Sequence, residues 1–187
     1  HHSKDLVHWQ LLTHALNETR LLNMRGVPSS GGVWAPALSY HEGLFYLCYT
    51  VVYQHEAATK DTPNFLTTAP SIEGPWSDPI HINSSGFDPS LFHAEDGRKY
   101  WLNMVWDHRP ERHPFHGIAL QELDLETGKL LGKSEIIFKG SNIQLTEGPH
   151  LYQRNGYYYL LTAEGGTEYD HAVSLARSRD LSGPYEV

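Results

Sequence analysis

The sequence is poor in cysteine, in basic residues and in long apolar runs. Its one cysteine, Cys48, cannot form an internal disulfide and is expected to be a small hydrophobic residue in a strand. Lys and Arg number 14 against 22 acidic residues, and the net charge of −8 argues against nucleic-acid binding. No apolar run approaches the roughly 20 residues of a membrane helix. We therefore expect neither nucleic acid nor membrane as a partner, and a cytoplasmic, bacterial-type location.

Several catalytic motifs are also missing. There is no Gly-rich phosphate loop, no G-x-S-x-G elbow and no H-E-x-x-H pair. His108, His113 and His116 in "DHRPERHPFHG" have a loosely metal-like spacing, but they lie in a Pro-rich loop and are expected to be solvated or at the rim of a site. No metal ligands are therefore assigned and no cofactor is required. The sequence leaves open whether an axial cation such as Ca²⁺ is bound.

The chain is rich in aromatic and turn-forming residues. Eleven Tyr, six Phe and five Trp stand among 16 Gly and 11 Pro, and no helical periodicity persists beyond about two turns. Turn signals such as "HEG", "EDG", "ETGK" and "RNG" separate many of the short apolar runs. Six runs predict strands: "VWAPALSY", "LFYLCYT", "NFLTTA", "KYWLNMVW", "GIALQEL" and "YYYLLTA". The expected fold class is all-β.

Three stretches of the sequence repeat: "VWAPALSYHEGLFYLCYT", "GFDPSLFHAEDGRKYWLN" and "TEGPHLYQRNGYYYLLTA". Trp34, Asp88 and Glu147 each precede a turn glycine by nine residues, and they are 54 and 59 residues apart. A second element, "SKDLVHW", "SIEGPWSDP" and "SRDLSGPYEV", recurs as a predicted closing strand and turn. A period near 55 residues with about four short strands is typical of propeller blades. Because first strands line the channel of a propeller, these three residues are predicted to face one cavity.

Two carboxylates and an aromatic platform in one pocket suit sugar chemistry. Glycoside hydrolysis needs a proton donor at the leaving oxygen and an anion that activates water or stabilises charge. A tryptophan such as Trp34 offers an apolar face to a pyranose ring. The alternative for Asp88 and Glu147 is that they only cap turns beside Pro89 and Gly148. A sugar-binding propeller without catalysis is a further alternative.

The stretches "GGVWAPALSYHEGLFYLCYT", "SSGFDPSLFHAEDGRKYW", "NMVWDHRPERHPFHGIALQE" and "LTEGPHLYQRNGYYYLLTAEGGT" resemble glycoside hydrolase family 43, in its branch of β-xylosidases. The resemblance covers essentially all 187 residues. It implies a five-bladed β-propeller that cleaves terminal β-1,4-linked xylose from xylo-oligosaccharides with inversion. It also implies three pocket carboxylates, namely an Asp base, an Asp that tunes and orients the acid, and a Glu acid.

The resemblance assigns Glu147 as the general acid and Asp88 as the tuning and orienting carboxylate. It places four residues at positions that line the sugar subsite: Trp34, Ala35, Phe87 and Thr167. Under these roles Asp88 stays charged. The charge of Asp88 and the burial of Glu147 among aromatic side chains raise the pKa of Glu147 from its ordinary value of about 4.3.

The base is the point where this sequence departs from the family. In relatives it belongs to a first-blade motif upstream of "HSKDLVHW", and nothing in this chain matches that motif. Asp5 lies in the closing-strand element and is not assigned to the role. Residues 1–187 are expected to form about three and a half blades of the catalytic domain, to continue beyond both ends, and to be inactive alone.

Three other expectations stay open beside the β-xylosidase. An α-L-arabinofuranosidase or arabinan-cleaving enzyme of the same family would share this pocket, so an arabinose-containing substrate is an alternative. The non-catalytic sugar-binding propeller remains a further one. An unclosed ring of blades would expose sheet faces and edges, which allows a homo-oligomer.

Overall fold

The computed structural model describes all 187 residues and contains no helix. No segment therefore forms a helix that is long and apolar enough to cross a membrane. The chain folds into eleven strands, which confirms the all-β class. Their bounds are β1 Gly32–His41, β2 Leu44–Val52, β3 Asn64–Ala69, β4 Ile80–Asn83, β5 Gly86–His93, β6 Lys99–Trp106, β7 Phe115–Asp124, β8 Lys129–Phe138, β9 Glu147–Arg154, β10 Tyr157–Glu164 and β11 Ala172–Ser178.

The strands form three antiparallel sheets in chain order. The first holds β1 to β4, the second β5 to β8 and the third β9 to β11. Each of the six predicted strands lies within a strand of the structure, and the "HEG" and "RNG" signals form two-residue turns at Glu42–Gly43 and Asn155–Gly156. All four of these turn residues have left-handed φ angles, as tight hairpins require.

Three apolar clusters form the core, and two of them lie between sheets. The largest lies between the second and third sheets and contains the fully buried Leu102, Met104 and Leu160. A second cluster joins the first two sheets and includes Cys48, which is only 1% exposed, as predicted for a strand hydrophobe. The third holds the strandless N-terminal segment against the first sheet through Leu21. The first strands β1, β5 and β9 each lie at the edge of a sheet, and β5 packs between the other two.

The predicted closing element is a recurring turn and not a strand. Ser3, Ser71 and Ser178 each accept a hydrogen bond from the backbone N–H two residues further on. In the second and third copies the Gly74–Pro75 and Gly183–Pro184 peptide bonds are both cis, and Gly74 and Gly183 both have left-handed φ angles. No strand runs through 3–9 or 71–79. The repeat in the sequence is therefore a repeat of turn chemistry.

Candidate active site

The first strands share one irregularity near their start. In each, a residue with left-handed φ precedes a proline, and the pair faces a single residue of the next strand, which makes a β-bulge. The pairs are Ala35–Pro36 in β1 (φ 31° at Ala35), Asp88–Pro89 in β5 (φ 55° at Asp88) and Gly148–Pro149 in β9 (φ 57° at Gly148). Proline lacks the N–H that a regular ladder needs, so strands accept it at such bulges. The bulges turn the start of all three strands toward one place.

The structure corrects the register of the sequence alignment by one residue. Asp88 is level with Ala35 and Gly148, while Phe87 is level with Trp34 and Glu147. The turn after β5 runs over 94–98 and is longer than the two-residue turns after β1 and β9. A count of nine residues back from Gly97 therefore reaches Asp88, although strand pairing makes Phe87 the equivalent of Trp34 and Glu147. The equivalence of Asp88 with Trp34 and Glu147 was wrong.

A cavity of about 760 Å³ opens where the three bulges meet. This volume is in the range of small-molecule sites, about 300–1,000 Å³. The structure brings all six predicted site residues to its wall: Trp34, Ala35, Phe87, Asp88, Glu147 and Thr167. Thr167 arrives from the Gly-rich loop that follows β10. The shared cavity expected for Trp34, Asp88 and Glu147 is present, although their registers differ.

An aromatic wall lines one side of the cavity. The Trp34 and Phe87 rings meet edge to face with centroids 5.4 Å apart, and Trp106 meets Phe115 at 5.4 Å. Trp34 is fixed by a hydrogen bond from Nε1 to the Ser30 carbonyl, at 2.9 Å. Edge-to-face pairs are a favoured aromatic geometry, so the wall is rigid and apolar. Such a wall can receive the face of a sugar ring.

Sequence reasoning missed Trp106, Phe115 and Lys60. Trp106 ends a predicted strand, and its pairing with Phe115 across the β6–β7 ladder was not visible in the sequence. The Lys60 ammonium lies 4.4 Å from the centroid of the Trp106 ring and donates to the His55 carbonyl at 2.6 Å. Burial lowers the pKa of Lys60, which is the only Lys or Arg on the cavity wall. The site thus has one cation beside its carboxyl groups.

Asp88 and Glu147 are linked through the backbone between their strands. Asp88 is 8% exposed, and its Oδ2 accepts a hydrogen bond from the N–H of Gly148 at 3.1 Å. Burial, and then repulsion from Glu147, raise the pKa of Asp88 to about 7 against the pull of that hydrogen bond. Burial also raises the pKa of Glu147, which the charge of His171 opposes. The charge of Glu147 therefore contributes to the raised pKa of Asp88.

The surroundings of Asp88 within residues 1–187 oppose the charged state expected for it. Asp88 is buried, has the Gly148 N–H as its one hydrogen-bond donor and makes no salt bridge, so its raised pKa disfavours the anion. Glu147 is half-buried, and its pKa is also raised.

The other acidic and histidine residues considered from the sequence lie outside this cavity. Asp5 is exposed and binds its own turn, accepting from the N–H groups of Val7 and His8. Asp107 forms a bidentate pair with Arg109, with His116 Nδ1 3.6 Å away, beside a separate polar groove. The rim of the cavity does carry another carboxylate, the exposed Glu168.

His108 and His113 are exposed, as expected for a solvated loop, and His116 is half-buried. The Asp107 groove encloses about 620 Å³ and shares Trp106 and Lys60 with the cavity that Asp88 and Glu147 line.

Comparison with known proteins identifies the family. The sequence profile of Glycosyl hydrolases family 43 matches residues 1–187. This chain belongs to glycosyl hydrolase family 43. The family 43 chain is 59% identical over its whole length to Xylosidase/arabinosidase 43B of Humicola insolens and 57% identical to a beta-xylosidase of Bacillus subtilis. It spans about a third of these relatives, 35% of each.

A solved relative has the same backbone. The crystal structure of xylan beta-1,4-xylosidase from Bacillus halodurans superposes on the family 43 chain with a TM-score of 0.97 at 61% identity. The match covers 100% of this chain and 36% of that structure. The three-sheet arrangement and its bulges are thus embedded in a larger protein in that relative.

Proposed function

We propose that the complete protein is a glycoside hydrolase that removes terminal β-1,4-linked xylose from xylo-oligosaccharides by an inverting mechanism. One observation carries this proposal: the buried Asp88 and the half-buried Glu147, from the first strands of two adjacent sheets, line one aromatic-walled cavity. The names of the two relatives at 59% and 57% identity support the substrate class.

In the proposed reaction Glu147 protonates the leaving oxygen. Its half-buried position and raised pKa suit a group that must hold a proton near neutral pH. Trp34 and Phe87 receive the sugar ring, with Ala35 and Thr167 at its edge. Inversion requires a water on the opposite face and a base that activates it, with carboxyl groups roughly 6.5–9.5 Å apart. We assign that base to the part of the protein outside residues 1–187.

Asp88 can tune Glu147 only as an anion. A carboxylate is kept charged by cations and by hydrogen-bond donors. Within residues 1–187 Asp88 has the Gly148 N–H and no cation partner, and its pKa stands at about 7. We infer that the rest of the protein supplies a cation or further donors to Asp88. This would keep Asp88 charged beside a protonated Glu147.

We also propose that the three sheets are blades of a five-bladed propeller whose axis passes the cavity. Three features support this: three or four antiparallel strands in each sheet, edge strands β1, β5 and β9 side by side, and a shared cavity at the start of these edge strands. Residues 1–187 then form part of a catalytic domain that the remaining blades complete.

A second candidate is an arabinose-releasing enzyme of the same family. The relative from Humicola insolens is named as both a xylosidase and an arabinosidase, so the two names apply to a single member of the family. Hydrolysis of 4-nitrophenyl β-xyloside and of 4-nitrophenyl α-arabinofuranoside by the complete protein separates the two activities. Sugar binding without turnover would favour a non-catalytic role.

The role of Glu147 is tested by Glu147→Ala in the complete protein. General acid catalysis contributes about 10²–10⁴-fold, so we expect a loss of this size on xylobiose and a much smaller one on an activated aryl xyloside. Glu168→Ala is the matched control, because it removes an exposed glutamate from the rim of the same cavity. Equal losses on both substrates, or an equal effect of the control, would remove Glu147 from the role.

A further inference from the structure

Behind the cavity lies a further carboxylate, Glu164, which the sequence did not single out. It is the last residue of β10 and is fully buried. Its Oε1 accepts hydrogen bonds from the Ser141 N–H and the Thr146 hydroxyl, both at 2.7 Å. Its Oε2 accepts from the hydroxyls of Ser141 and Ser174. Four donors thus converge on one buried side chain.

Glu164 is charged without a counter-ion. It forms no salt bridge with any Lys, Arg or His of the chain. Burial alone would raise its pKa, but the bonds from Ser141, Ser174 and Thr146 hold the pKa below its ordinary value. An isolated buried charge is strongly unfavourable unless hydrogen bonds satisfy it. The donors therefore serve a carboxylate, and a neutral amide could not accept all four bonds.

Three of the four donors come from the segment that leads into Glu147, and the fourth, the Ser174 hydroxyl, comes from β11. Ser141 and Thr146 belong to the loop before β9, and Thr146 is the immediate neighbour of Glu147. Gly140 leaves no room for a side chain, since a Cβ there would lie 2.0 Å from the Thr146 hydroxyl. The loop is therefore packed tightly onto Glu164.

The same loop holds a strained backbone. Gln144 and Leu145 both have left-handed φ angles, 68° and 54°, which non-glycine residues rarely adopt. Such strain persists only where the surroundings enforce it. The N–H of Gly165, next to Glu164, donates to the Gln144 carbonyl at 2.8 Å, and Leu145 reaches the cavity wall. Residues 164–165 thus enforce the conformation of residues 144–146.

We propose that Glu164 is a positioning residue, whose buried carboxylate fixes residues 141–146 and so sets the direction in which the Glu147 side chain enters the cavity. The inference rests on the proposed function, in which Glu147 donates a proton. Glu147 is then held on both sides by carboxylates, because Glu164 binds the preceding Thr146 and Asp88 binds the following Gly148. Glu164 itself does not line the cavity.

The test uses the complete protein and two substrates that differ in leaving group. Proton donation matters greatly for xylobiose and little for 4-nitrophenyl xyloside. A misplacement of about 1 Å can cost about 10²-fold. We therefore expect Glu164→Gln to lower kcat/KM for xylobiose by about 10²-fold and for the aryl xyloside by less than about tenfold.

Three further variants separate positioning from stability. Thr146→Val removes only the hydroxyl beside Glu147 and should shift the substrate ratio in the same direction, which keeps the test open if Glu164→Gln does not fold. Thr146→Ser keeps the hydroxyl and should restore the ratio. Ser174→Ala removes the bond from β11, which does not lead into Glu147, and should lower the unfolding midpoint without changing the ratio.

The outcomes distinguish this inference from the function on which it rests. A larger loss on xylobiose for Glu164→Gln and Thr146→Val supports the inference. Equal losses on both substrates, alongside an active wild type, would overturn the inference and leave the proposed function standing. A wild-type protein that hydrolyses neither substrate would overturn both.

Discussion

In a protein made of residues 1–187 alone, the buried Asp88 should make the folded state less stable as the pH rises. Its pKa is raised from the ordinary 3.8 to about 7, chiefly by burial. Each pKa unit is worth about 1.36 kcal/mol, so the charged form of this side chain costs about 4 kcal/mol of folding free energy. Asn has nearly the same shape and no charge. Asp88→Asn should therefore stabilise the protein at high pH.

The sign follows from proton binding. Between pH 3.8 and about 7 the folded protein keeps the Asp88 proton, whereas the unfolded chain has lost it. The free energy of unfolding of the wild type falls through this window and is level above it. We expect Asp88→Asn to exceed the wild type by about 2 kcal/mol near pH 5 and by about 4 kcal/mol above pH 7.

Urea unfolding of the two forms, followed by tryptophan fluorescence at about pH 5 and about pH 8.5, measures the difference. Asp170→Asn is the control, because Asp170 is exposed and its replacement should change stability by less than about 0.5 kcal/mol at either pH. Glu147→Gln should narrow the pH range over which the free energy of unfolding falls, since repulsion from Glu147 contributes to the raised pKa of Asp88. If Asp88→Asn raised the free energy of unfolding equally at both pH values, a buried carboxyl group with a raised pKa at position 88 would be refuted.

The remaining predictions concern packing. Leu160→Ala, in the fully buried core, should lower the free energy of unfolding by about 2–5 kcal/mol, whereas Leu175→Ala, at 53% exposure, should change it by about 0.5 kcal/mol or less. Gly140→Ala should cost about 1–3 kcal/mol in urea unfolding, because its φ of 95° is unfavourable and its Cβ would overlap Thr146; a silent substitution would contradict that contact. Cys48 should react with a thiol reagent only in denaturant, since it is buried and burial raises its pKa; rapid native labelling would contradict this.

Strands were predictable where hydrophobic residues face the core. β2, β6 and β10 lie inside their sheets and carry aromatic or aliphatic runs, so their sequences identified them. β8 has mostly exposed side chains, and β4 has only four residues. β11 was hidden by an inverted pattern: its Leu175 faces outward, while Ser174 faces inward to bind Glu164. A hydrophobicity pattern cannot indicate a strand whose buried side is polar.

The candidate site was predictable in its members and not in its electrostatics. The proline and glycine residues of the repeat, together with the family resemblance, indicated Asp88 and Glu147 as site residues. Both line the cavity. The one-residue error at Asp88 arose because a longer turn after β5 offsets the count, which only strand pairing reveals. The raised pKa of Asp88 and the hydrogen bonds of Glu164 depend on burial and on contacts between distant segments. Local sequence contains neither.

The three bulges have one backbone conformation but carry different side chains. One backbone conformation holds a methyl group at Ala35, a carboxylate at Asp88 and no side chain at Gly148, so the fold does not depend on which group stands there. Asp tolerates left-handed φ better than Ala. An enzyme designer could therefore move a carboxylate from one sheet to another, for example by Ala35→Asp, and change the charge in the cavity while leaving the backbone in place.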